Sequence, residues 1–184
     1  MTARPTDGPL IWNVAGLLAD AVGSDRQYPV RDVRPELPDG LVLTTAIEGA
    51  VRLSRTNRGV LADADLTTSI AGECSRCLKE LSIPLVLGIL EEYLPTIDLA
   101  SGQPVTFDDE PDALRLTDHH EVDLEPPVVD AIVLAEPIAP LCRPDCPGLC
   151  VVCGQPLEAG DHDHPDDDID PRLEALRGFQ ADDG

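Results

Sequence analysis

The chain has 184 residues, with 13 Lys and Arg against 35 Asp and Glu, for a formal net charge of −22. That length suits one domain, or one domain with a small appendage, able to bury roughly 70% of the surface its unfolded chain exposes. The charge argues against diffuse attraction to nucleic-acid phosphates, and an aromatic share of 3% means that the core must be aliphatic.

The opening "MTARPTDGPL" is polar and contains Pro, with no apolar leader behind it. No stretch approaches the ~18 apolar residues of a membrane span. The expected location is cytoplasmic, where reduced cysteines favour metal over disulfides. Residues 11–19 read as an opening strand or short helix, closed by the turn signal "GSD". The following "RDVRPELPDG" reads as a loop, with Pro35, Pro38 and "DG" as breakers.

Three strand-like segments come next. "LVLTTAIEGAVRLSRT" alternates over Val51, Leu53 and Arg55 and ends in the turn "TNRG". "VLADADLTTSIAGEC" alternates over Leu66, Thr68 and Ile70, and "LSIPLVLGILEEYL" over Leu81, Ile83, Leu85, Leu87 and Ile89. Together they predict an antiparallel meander or partial barrel, with "CSRCLK" joining the second and third strands. Pro84 implies an edge position or a bulge there.

Residues 95–120 lack a pattern and read as a loop. The adjacent His119 and His120 are assigned to no site, because neighbouring side chains diverge. "VDLEPPVVDAIVLAEP" predicts a helix from about Glu125 to Glu136, with prolines in its first turn, Val129, Ile132 and Val133 as its buried stripe, and Pro137 as its stop. An acidic linker, "AGDHDHPDDDID", leads to a short final helix with Asp170 as N-cap, Pro171 at N1, and Leu173, Leu176 and Phe179 as its apolar face. The predicted class is α+β: a meander, a packed helix and a C-terminal zinc-knuckle tail. A core domain over residues 1–146 precedes a tail over 147–184.

Charge is unevenly spread. Arg26, Arg31, Arg34, Arg52, Arg55, Arg58, Arg76 and Lys79 precede residue 80, and the chain beyond residue 91 is strongly acidic. The amino-terminal half could present a basic face, or its arginines could pair with the acidic half.

The cysteines carry the chemistry. Cys74 and Cys77 form C-x2-C on a tight connection between strands, which brings two thiolates toward one ion. Far downstream, Cys142, Cys146, Cys150 and Cys153 are followed by His162 and His164. Three partitions are sensible. Cys142, Cys146, Cys150 and Cys153 could share one local zinc. Cys74, Cys77, Cys142 and Cys146 could form one site, with Cys150, Cys153, His162 and His164 as a second. Only one site could be loaded, leaving a redox pair or idle thiols. Closing the long loop of the second arrangement costs little extra entropy. Structural zinc, worth of order 10–16 kcal/mol in zinc-finger peptides, easily offsets it. Sites filled by four protein ligands are structural rather than hydrolytic. No HExxH, phosphate loop or deaminase signature is present, so no enzyme activity is expected.

The segments "CSRCLKEL", "EEY", "VDLEPPVVDAIVLAEP", "CRPDCPGLCVVCG" and "DPRLEALRGF" resemble the YceD family, the large ribosomal RNA subunit accumulation proteins. Shorter members lack "GLCVVCG", so the resemblance implies that Cys74, Cys77, Cys142 and Cys146 form the common site. Longer members often end the tail in C-x-C, where this chain has His162 and His164. The function implied is that of a non-enzymatic factor for large-subunit biogenesis, supporting 23S rRNA accumulation and holding one or two structural Zn2+ ions. Its partner would be a precursor of the large subunit, either rRNA or a basic ribosomal protein. Arg52, Arg55, Arg58, Arg76 and Lys79 would be the contact residues. A zinc-fold adaptor without RNA contact and a thiol redox sensor are the alternatives.

Overall fold

The computed structural model describes residues 10–99, 101–105, 110, 112–160 and 172. In chain order it runs β1 (Ile11–Asn13), α1 (Ala15–Ala19), β2 (Asp25–Val33), β3 (Leu43–Arg55), β4 (Val60–Glu73), β5 (Glu80–Leu94), β6 (Leu114–Arg115), β7 (Glu121–Asp123), α2 (Glu125–Ala135) and a 3-10 turn at Leu157–Ala159. The fold is α+β. A five-stranded sheet of order β2-β3-β4-β5-β6 is antiparallel from β2 to β5, with β6 parallel to β5. A small ribbon pairs β1 with β7. The sheet is open, not a closed barrel.

The meander follows from period-two patterning. On β4, Val60, Ala62, Ala64, Leu66, Thr68 and Ile70 are buried, as are Leu85, Leu87 and Ile89 on β5. The β4–β5 register is continuous from Val60↔Tyr93 to Glu73↔Glu80, so each strand keeps one face inward throughout. That inner face is covered by Trp12 of β1, Leu17 and Leu18 of α1, Val122 of β7, and Val128 and Ile132 of α2. Gly59 closes the β3–β4 turn, where a Cβ would lie 1.9 Å from the carbonyl oxygen of Tyr93.

Several expectations need correction. The segment after the "GSD" turn is not left unstructured: β2 occupies residues 25–33, including the first part of the expected loop. Its polar composition and Pro29 hide it, and Pro29 is tolerated because β2 lies at the sheet edge. Pro84 likewise lies on β5 opposite Ser69, where no further described strand pairs with β5. It occupies an edge without a bulge. The helix stripe is shifted. Val128 and Ile132 are buried, whereas Val133 is 43% exposed. Leu124, buried just before the helix, sets this phase, because residues four apart share a face. The 95–120 segment contains β6 and buries Leu116. The expected final helix and most of the acidic linker lie outside the described residues.

Among the described residues, no helix is long and apolar enough to cross a membrane.

Candidate metal centre

The β4–β5 hairpin is the first half of the site. Its six-residue connection turns by donating Cys74 N–H to Lys79 O at 2.8 Å and Leu78 N–H to Cys74 O at 2.9 Å. Leu78 takes a left-handed conformation, with φ of 59°. This turn projects Cys74 and Cys77 to one side. The segment after α2 supplies the other half. Ser75 N–H donates to Pro140 O at 2.8 Å, fastening that segment against the hairpin. The Arg76 guanidinium then donates to Cys146 O at 2.9 Å.

These ties bring Cys74, Cys77, Cys142 and Cys146 together, with all four sulfurs within 4.8 Å of one another. Cys74 and Cys146 are buried; Cys77 and Cys142 are partly exposed. The Cys74–Cys146 and Cys77–Cys142 sulfur separations are 3.8 Å and 3.7 Å. A disulfide requires ~2.05 Å. Four thiolates arranged tetrahedrally at ~2.3 Å from a zinc ion lie about 3.8 Å apart. All six cysteines are free thiols. The donor set and spacing therefore fit a four-coordinate thiophilic metal ion.

The protonation pattern has the same cause. Burial opposes ionisation of Cys74, but backbone hydrogen bonds at Cys142, Arg76 and Cys77 outweigh it and bring the thiol down to about 6. The Cys142 thiol is pushed up to about 12, first by its hydrogen bond with Cys146 and then by burial. Burial also raises Cys146. Four crowded sulfurs cannot all ionise without a cation among them.

Cys150 and Cys153 lie on a second turn built like the first. Cys150 N–H donates to Gln155 O at 2.8 Å and Gly154 N–H to Cys150 O at 2.9 Å. Gly154 takes the left-handed place that Leu78 takes in the hairpin, with φ of 72°. This knuckle is held beside the four-cysteine cluster. Leu157 N–H donates to Gly148 O at 3.1 Å, and Arg143 pairs with both Asp145 and Glu158. His162 and His164, expected to complete a second site, lie outside the described residues.

The five expected contact residues do not form one face. Arg52 and Arg55 are three apart on β3 within an unbroken register, so they point to opposite sides of the sheet. Arg52 pairs with Asp63 across the strands. Arg55 turns inward and donates to the carbonyls of Leu18, Thr56 and Gly59, tying α1 to the β3–β4 turn. Arg58 forms a salt bridge with Glu110. Arg76 serves the cysteine cluster, and Lys79 is exposed in the β4–β5 connection. Two features escaped the sequence reading. Arg143 braces the knuckle, and nothing in "CRPDC" distinguishes it from a surface arginine. The outer sheet face collects acidic residues scattered along four strands, which become neighbours only once the register is known.

Comparison with known proteins places these residues in context. Residues 62–180 match the family model described as Large ribosomal RNA subunit accumulation protein YceD. An uncharacterized protein of Mycobacterium tuberculosis is 36% identical over 142 residues, covering 74% of this chain and 66% of the relative. An uncharacterized protein of Mycobacterium leprae is 34% identical over 137 residues, covering 72% and 58%. The chain thus matches less than two thirds of the length of these relatives. No solved structure matches it.

Proposed function

The chain belongs to the YceD family of large ribosomal RNA subunit accumulation proteins, and from that premise we propose that it is a non-enzymatic accessory factor for large ribosomal subunit biogenesis, supporting 23S rRNA accumulation. The match over residues 62–180, which spans the hairpin, α2 and both cysteine turns, carries this reading. The protein would act in the cytoplasm, on a precursor of the large subunit.

In this reading Cys74, Cys77, Cys142 and Cys146 hold a structural Zn2+ ion. The chemistry the ion supplies is cohesion: it neutralises four thiolates and cross-links two distant parts of the chain. Four protein donors leave no coordination position for water or substrate. The matching backbone of the Cys150–Cys153 turn supports a second zinc, completed by His162 and His164.

The reading is tested by depleting the protein in its host and sedimenting ribosomal particles. Large-subunit particles and 23S rRNA should fall relative to the small subunit, and the wild-type gene should restore them. An unchanged subunit ratio after depletion would overturn the assignment. Metal analysis of purified protein tests the ion separately, and Cys74→Ser should lower zinc content by one ion per chain.

A further inference from the structure

The outer face of the five-stranded sheet bears no described element, and its composition is one-sided. Strand register places Asp25, Asp63 and Asp65 on it around Arg52. The hydrogen bond and charge of Asp63, with smaller contributions from Asp25 and Asp65, raise the pKa of the Arg52 guanidinium. Arg52 is already paired with Asp63, so its charge is spent within the face. Toward the hairpin connection, Glu73 of β4 and Glu80 of β5 stand directly opposite each other on the same side, a like-charge pairing that is unfavourable in itself, with the exposed Lys79 adjacent in sequence to Glu80.

Apolar groups interrupt this acidity along β5. Val86 is 83% exposed and Leu90 65% exposed. Both alternate with the buried Leu85, Leu87 and Ile89, so both face outward. An open groove of about 460 Å³ runs across β3, β4 and β5 between Glu48, Thr67 and Val86. Beside it, no described strand pairs with β5 between Glu80 and Glu92, which leaves an edge able to accept another strand beyond Pro84, over residues 85–92, where no proline removes a donor.

We propose that this outer face and the β5 edge dock an extended cationic polypeptide segment with apolar side chains between its charges. Lys or Arg side chains would meet the aspartates and glutamates, and alternate apolar side chains would cover Val86 and Leu90. Period-two alternation in an added strand presents both kinds of group in register with the face. RNA phosphates would meet carboxylates here, and a second copy of this chain would bring two acidic faces together. The proposal stands on charge and register, and it holds whether or not the ribosomal reading does.

The experiment measures binding of a short fluorescent peptide alternating Lys and Val to the full zinc-loaded chain, by anisotropy at low salt. The double variant Glu48→Lys, Asp65→Lys should weaken binding by about tenfold or more. Val86→Ser with Leu90→Ser should weaken it too, whereas Asp130→Lys with Glu136→Lys on α2 should leave it nearly unchanged. All these positions are exposed, and unchanged circular dichroism and zinc content would verify the fold. Equal losses from both charge reversals would reduce the effect to the general field and overturn the proposal. So would binding insensitive to Val86 and Leu90, no binding by the wild type, tighter binding of a single-stranded RNA to the same face, or a dimer that Val86→Ser dissociates.

Discussion

Leu78 and Gly154 occupy equivalent places in the two cysteine turns, each with positive φ, 59° and 72°. A left-handed conformation costs an L-residue with a Cβ about 1–2 kcal/mol, which glycine avoids. Leu78 gains little in return, since its side chain is exposed. Leu78→Gly should therefore stabilise the protein by about 0.5 kcal/mol, once the extra freedom of glycine in the unfolded chain is subtracted. Thermal or denaturant unfolding of the metal-loaded variant measures this. A clear loss of stability would show that Leu78 makes contacts in the loaded state that outweigh its backbone strain.

Helix α2 shows how a small shift in phase changes which residues matter. Ile132 is fully buried against the sheet, and its neighbour Val133 is 43% exposed. Removing the Ile132 side chain leaves a cavity between α2 and β5, so Ile132→Ala should cost about 2–5 kcal/mol. Val133→Ala should change stability by no more than about 0.5 kcal/mol. Equilibrium unfolding of both variants decides between the observed phase and the stripe expected from the sequence, under which Val133→Ala would also be clearly destabilising. β2 shows the opposite case. Its edge position asks little of its sequence, so alternation is weak and Pro29 is allowed.

On the scale of the whole molecule, the cysteine cluster joins two parts of the chain that otherwise share few ties. The sheet has its own apolar core, which includes Val51, Leu53, Leu66, Ile70 and Leu87. Residues 142–160 are tied to the hairpin by the cluster and by the Arg76 bond to Cys146, whereas the Arg143 pairs with Asp145 and Glu158 brace the segment internally. If the proposed zinc is bound there, chelating it should therefore act locally. In hydrogen exchange, amides at 74–79 and 142–157 should lose protection first, while the central β3, β4 and β5 amides stay protected. Simultaneous loss of protection across the sheet would show that the ion holds the whole fold.

Cysteine spacing, strand alternation in residues 43–94 and the proline-opened helix at 125–135 were legible in the sequence, because each depends on side chains near one another along the chain. The grouping of Cys74 and Cys77 with Cys142 and Cys146 was only one of several arrangements that spacing allowed. The tertiary structure decided it by laying the segment after α2 across the β4–β5 turn, through Ser75–Pro140 and Arg76–Cys146. Charge was the least legible feature. Composition by halves allowed either a basic strand face or arginines paired with the acidic half; folding turned Arg55 inward, paired Arg52 with Asp63 and Arg58 with Glu110, and gathered aspartates and glutamates from separate strands onto one face. Sequence sets which charges exist; strand register and facing determine which of them meet, and that is a property of long-range pairing alone.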